Sequence, residues 1–219
     1  SDTEQAFIAR FIEPLGVTRD PWGNLHRWVT EDDGSPSRMV WSCHTDTVHR
    51  HDGYQRLAYQ PKTGIVSLSR HAKRHGSNCL GADDTAGVSI MISMIRQGIP
   101  GHYIFHYGEE HGGIGSSDLA QHGENWLEDA QIAIAFDRRG TGDIITSQAG
   151  QTTASDTFAW SVAEELARVN PLLAYTPTAG IYTDTVEYAG IISECSNLSV
   201  GYQFEHTTNE CLDVWHVLR

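Results

Sequence analysis

Arg38-Met39-Val40-Trp41-Ser42-Cys43-His44-Thr45-Asp46 is an apolar, β-prone run that closes on an imidazole and a carboxylate. Its first six residues read as a buried strand, so the polar triplet falls at that strand's carboxyl end. Three further segments share the plan. His102-Tyr-Ile-Phe-His-Tyr107 leads into Gly108-Glu109-Glu110, Gln131-Ile-Ala-Ile-Ala-Phe136 into Asp137, and Asn197–Phe204 into Glu205-His206. Between the first two, Leu80-Gly81-Ala82-Asp83-Asp84 opens an amphipathic helix over Thr85–Gln97, with Val88, Met91, Ile92 and Ile95 inward.

Outward from these segments, a helix is expected over Thr3–Glu13, ended by Pro14, and another over Ser155–Val169, ended before Pro171. Asn24–Thr30, Ile65–Ser69 and Asp143–Thr146 read as strands, Ser116–His122 as a short helix and Thr183–Tyr188 as a helical turn. Ile191–Gln203 holds one or two strands. His49–Tyr59 and Arg70–Ser77 read as polar and basic loops. Strands alternating with helices argue for an α/β sandwich: one central, mixed but mostly parallel sheet flanked by helices. With neither an internal repeat nor a long linker, residues 1–219 are read as a single catalytic domain.

Composition excludes several classes. Lys and Arg number 15 against 28 Asp and Glu, a net charge of −13. A nucleic-acid binder would need a basic face instead. No apolar run approaches the ~20 residues of a membrane helix. Without a basic start followed by an apolar stretch, a cytoplasmic location is expected. The 4 Cys form no CxxC pair and read as ordinary buried thiols. Acidic charge favours a soluble chain, and a monomer is the default expectation.

Sites in open α/β sheets form beyond the carboxyl ends of the strands. His44, Asp83, Glu109, Glu110, Asp137 and His206 all fall there. Imidazoles mixed with carboxylates suit zinc or a similar divalent ion. The carboxylates outnumber the charge of one Zn²⁺, so two ions fit better, roughly 3.5–4 Å apart across a bridging carboxylate. Each residue also has a plainer role open to it. His44 could simply end a strand, Asp83 could cap the helix, and Glu109 and Glu110 could form a solvated acidic loop. Asp137 could pair with Arg138 or Arg139, and His216 could stand in for His206.

In that order along the chain, His44-Thr-Asp46, Gly81-Ala-Asp-Asp84, Gly108-Glu-Glu110, Asp137 and His206 resemble the co-catalytic di-zinc exopeptidase superfamily. That group includes bacterial zinc aminopeptidases, glutamate carboxypeptidases and related aminoacylases. Thr183-Asp184 with Gly190-Ile191 looks like its Ser-Asp…Gly-Ile segment, with Thr in place of Ser. The resemblance implies two Zn²⁺ ions, with Co²⁺ or Mn²⁺ as substitutes. Asp83 would bridge both, His44 and Asp137 would complete one site, and Glu110 and His206 the other. A hydroxide between the metals would attack the substrate carbonyl, with Glu109 as general base. Two cations near Glu109 would favour its ionised form against burial. Asp46, two residues on from His44 in an extended segment, would orient the imidazole. A cis peptide is expected between Asp83 and Asp84. His111 and Tyr182 are candidate substrate contacts.

Many carboxypeptidase-type relatives insert a lid or dimerisation domain before the last His. Only 69 positions separate Asp137 from His206, too few for one. The chain therefore resembles the compact aminopeptidases, and a free α-amino group suits an acidic pocket. An aminopeptidase on short peptides is expected. An N-acyl amino acid deacylase is the alternative, and a non-catalytic metal- or peptide-binding descendant a third.

Overall fold

The four apolar segments that end in His or carboxylate side chains lie side by side. The computed structural model describes the backbone of residues 1–219 and every side chain except that of Glu124. In chain order its strands are β1 (Thr18–Arg19), β2 (Leu25–Val29), β3 (Met39–His44), β4 (Leu57–Gln60), β5 (Ile65–Leu68), β6 (Gly101–His106), β7 (Ile132–Arg138), β8 (Asp143–Gln148), β9 (Gln151–Thr152), β10 (Thr176–Ala179), β11 (Glu194–Ser199), β12 (Tyr202–Gln203) and β13 (Cys211–Asp213). The helices are α1 (Asp2–Phe11), α2 (Arg70–Arg74), α3 (Ala82–Arg96), α4 (Ile114–His122), α5 (Glu124–Leu127), α6 (Asp156–Val169) and α7 (Val214–Val217).

The main sheet runs β1-β2-β6-β3-β7-β11-β8-β10, with β9 paired to β8. Its middle strands β6, β3, β7 and β11 are mutually parallel, so their carboxyl ends share one edge. Antiparallel pairs β2–β6 and β8–β11 on either side make the sheet mixed. A small antiparallel sheet, β12-β13-β5-β4, stands beside it. The chain is thus a single-domain α/β sandwich, as its alternating pattern led us to expect.

One side of the main sheet packs Ile8, Ile12, Val88, Met91 and Ala159 against Tyr103, Phe105 and Ile134. The other packs Leu119, Leu127, Tyr188 and Ile192 against Val40, Ile104 and Ala133. α3 approaches β7 so closely that a Cβ at Gly87 would overlap the Phe136 carbonyl. α6 starts where Ser155 accepts from the Phe158 N–H, a cap worth about 1 kcal/mol. Among the described residues, no helix is long and apolar enough to cross a membrane. The four thiols are unpaired, and Cys43, Cys79 and Cys195 are buried.

Three differences from the sequence reading have simple causes. Arg70–Ser77, expected as a loop, contains α2, because Ser69 caps it and Ala72 is buried, and His49–Tyr59, also expected as a loop, runs into β4, which pairs with β5. β10, β13 and α7 were not expected, since elements of 3–4 residues are too short to show a period.

On the side of α4 and α5 lies a buried chain of side chains. His26 donates from Nε2 to Asp20 at 3.0 Å, which leaves its Nδ1 to accept from His102 Nε2–H at 2.8 Å. Burial, with His26 beside it, pushes His102 down to about 3. The unfolded chain takes up that proton below about pH 6.5, while the folded chain resists it. Stability should therefore fall as pH drops from about 6.5 towards 3, by about 1.4 kcal/mol per pH unit for this group. His102→Gln keeps a donor for His26 but does not titrate. Denaturant unfolding between pH 7 and 4 should show a shallower decline for the variant than for wild type. Equal slopes would refute the assignment.

Candidate metal centre

The parallel strands deliver their terminal side chains to one point. His44 ends β3, Glu109 and Glu110 follow β6 in a 3-10 turn, and Asp137 lies near the end of β7. Asp83 comes from the first turn of α3, and His206 from the loop between β12 and β13. The Asp83–Asp84 peptide is cis, as expected. Gly81, just ahead of it, has φ +79°, a conformation open to glycine without strain.

Three donor groupings result: His44, Asp83 and Asp137; Asp83, Glu110 and His206; and His44, Glu109 and Glu110. Asp83 belongs to the first two: its Oδ1 is 3.0 Å from His44 Nε2 and its Oδ2 3.2 Å from His206 Nε2. His44 Nε2 is 3.5 Å from Asp137 Oδ1, and His206 Nε2 is 2.8 Å from Glu110 Oε1. All five side chains read from the sequence as ligands therefore converge. Glu109 is in neither of the two groupings that share Asp83, but it joins His44 and Glu110 in the third, its Oε2 4.0 Å from His44 Nε2.

The neighbours fix the donors. Asp137 accepts from Thr183 Oγ1 at 2.5 Å and from the Tyr202 hydroxyl at 3.0 Å, and its main chain is gripped by the Asn197 amide. Asp84 accepts from the Gly87 N–H at 3.0 Å, so the capping role weighed for Asp83 falls to its neighbour. Asp46 acts differently from the expectation. His44 Nδ1–H lies nearest the Asp46 main-chain carbonyl, at 3.0 Å, with the carboxylate at 3.5 Å. The carboxylate instead accepts the N–H groups of Glu109 and Glu110, at 3.1 and 3.2 Å. Asp46 thereby orients three site residues.

Electrostatics define what the cluster wants. Burial drives Glu109 up to about 9 and Glu110 up to about 7, and it raises Asp137. For Asp83, burial is outweighed by hydrogen bonds with His206 and His44, which hold it below the usual carboxylate range. The hydrogen bond to Asp83 lifts His206 to about 9. Carboxylates this crowded and buried are costly to ionise with only imidazoles beside them. Oxygen and imidazole donors in two sets sharing one carboxylate fit divalent zinc.

A cavity of about 190 Å³ opens beside the cluster, lined by Asp83, Glu109, Asp137 and His206 together with Arg138, Arg139, Ile145 and Ile181. Tyr182 lines it too, but its hydroxyl donates to Glu187 at 3.0 Å. His111 is largely exposed and borders a second cavity of about 610 Å³ instead. His216 is buried at Tyr175 and the Ser199 carbonyl, away from the donor sets. Sequence reasoning missed Thr183 and Tyr202 as holders of Asp137, and Glu210, which accepts the N–H groups of Leu80–Asp83. Thr183 was the one of these with a signal, since it stands in the segment read as Ser-Asp-like.

Fold and donor groups together are those of a metal-dependent hydrolase, and the family match makes the chain a zinc-dependent exopeptidase. The chain belongs to peptidase family M28, whose model matches residues 25–189. The resemblance to di-zinc exopeptidases therefore holds. Similar folds include a tripeptidase from Staphylococcus aureus, 17% identical, covering 99% of this chain and 89% of that chain with a TM-score of 0.73. An aminopeptidase from Bacillus cereus is 18% identical over 98% of this chain and 88% of that one, TM-score 0.68. A zinc aminopeptidase from Bacillus subtilis is 18% identical over 84% of this chain and 43% of that one, TM-score 0.55. Among the curated proteins compared, none matches the chain.

Proposed function

We propose that this zinc peptidase is an aminopeptidase of short peptides, working with two zinc ions and with Glu109 as general base. The observation that carries this reading is the pair of donor sets sharing Asp83, with Glu109 alongside at the mouth of a small cavity. Zinc bound there would polarise the scissile carbonyl and acidify a water. His44 and Asp137 would hold one ion, Glu110 and His206 the other, and Asp83 both.

The chain's own groups then divide the work. Asp46 grips the Glu109 and Glu110 main chains, so the two adjacent carboxylates point to separate tasks. Glu110 reaches His206, while Glu109 is left free to accept the water's proton and deliver it to the leaving amine nitrogen. The cavity would take the first side chain of the peptide; Asp83, Glu109 and Asp137 suit its α-ammonium group, while Arg138 and Arg139 on the same lining are paired with Asp143 and Glu205. Tyr182 on the cavity wall and His111 at the rim are proposed as substrate contacts.

The neighbouring folds are peptidases by their names, which favours this reading over the deacylase. The test is a panel of aminoacyl chromophores and di- and tripeptides beside N-acyl amino acids. Free-amine substrates should be cleaved, the activity lost to a chelator and restored by zinc. Turnover of blocked substrates alone would overturn the aminopeptidase assignment.

A further inference from the structure

One carboxylate that the mechanism does not use is more fully engaged than any in the site. Glu210 is 1% exposed. Its Oε2 accepts the N–H groups of Leu80 at 2.7 Å and Gly81 at 3.1 Å. Its Oε1 accepts those of Ala82 at 2.7 Å and Asp83 at 3.1 Å. An ionised carboxylate has about four acceptor positions, and here all are filled by consecutive main-chain donors. These donors lead into α3, whose N-cap Gly81 has no side chain to satisfy them.

Placement gives the clamp its meaning. Glu210 sits at one end of the β12–β13 loop, and His206 sits within that same loop. The loop is braced internally, since Glu210 N–H donates to the Thr207 carbonyl at 3.1 Å and Thr207 Oγ1 to the Phe204 carbonyl at 2.7 Å. Phe204 and His206 hold φ of +58° and +63°, uncommon for residues with a side chain. A single loop thus contributes His206 directly and grips the backbone that carries Asp83.

We propose that Glu210 is a positioning residue, which presents Asp83 to the metals and locks it to the loop bearing His206. The inference rests on the metal-site reading above and adds what holds the shared ligand in place. A carboxamide cannot replace the carboxylate, because its NH₂ group would face N–H donors and leave at least two of them without an acceptor.

The test compares zinc binding to the zinc-free forms of wild type and Glu210→Gln by calorimetry. The second equivalent should weaken by at least ~10-fold, the usual scale for residues that orient a metal ligand, with the first less affected. Ser155→Ala serves as a control, since it removes the α6 cap far from the site and should cost stability without altering zinc affinity. Wild-type zinc affinity in Glu210→Gln, with only a loss of stability like the control's, would overturn the proposal. If the variant does not fold, hydrogen exchange on zinc-free wild type decides. The amides of Leu80–Asp83 should exchange as slowly as the interior of α3. Fast exchange that slows only on adding zinc would mean that the metal, not Glu210, orders the segment. Failure of wild type to bind zinc would sink the metal-site reading instead, and the exchange result would still judge the clamp.

Discussion

Glu109→Gln is expected to lower kcat at least ~10²-fold while zinc content stays at the wild-type value. The carboxamide has the shape of the carboxylate but cannot take a proton from water. Nothing else should shift. The residue-109 N–H that Asp46 accepts is main chain, and Glu110 Oε1 keeps its 2.8 Å contact with His206. Burial raises the acid's own pKa to about 9 in the bare chain, and cations within a few ångströms act in the opposite direction. On the proposed reading, the side chain would be an effective base only with the donor groups around it filled. Steady-state kinetics with metal analysis on the same preparation check this. Undiminished turnover, in protein free of wild-type contamination, would remove Glu109 from the base role.

Asp83→Ala is expected to abolish tight binding of at least one zinc ion and, with it, most zinc-dependent stabilisation. Asp83 joins the grouping of His44 and Asp137 to that of Glu110 and His206, each of its oxygens facing a different imidazole. Its removal leaves His44 with Asp137 on one side and His206 with Glu110 on the other. A ligand that binds only the folded chain stabilises it by about 2.7 kcal/mol at a hundred times its Kd. Wild type should therefore melt at a higher temperature with added zinc, and the variant should show little such shift. Elemental analysis should find at least one equivalent fewer. Full zinc content with an unchanged thermal shift would show that Asp83 does not bridge.

Much of this was legible because the relevant signals are local. A β-prone run ending in His44, another ending before Glu109 and Glu110, and a third ending at Asp137 each state their element and its polar terminus within a few residues. Parallel pairing then brings those termini to one edge, a consequence of the α/β pattern and not of any single motif. The cis bond at Asp83–Asp84 and the membership in a peptidase family followed from motif order, which a short chain carries intact.

What escaped the sequence is held together across it. Glu210 meets Leu80–Asp83 from 127–130 positions away, and Asp46 meets Glu109 and Glu110 from 63–64. His26 finds His102 only because β2 and β6 pair. Short elements such as β13, which carries the loop holding Glu210, show no periodicity of their own. The sequence by itself determined which residue types end which strands, hence the fold class and the candidate donors, since both follow from the order of segments along the chain. Only the tertiary structure decided how the candidate donors group around Asp83 and which carboxylates take the role of gripping backbone, as Asp46 and Glu210 do. Those roles depend on burial and on the direction of N–H groups, and both are created by chain segments that meet on folding.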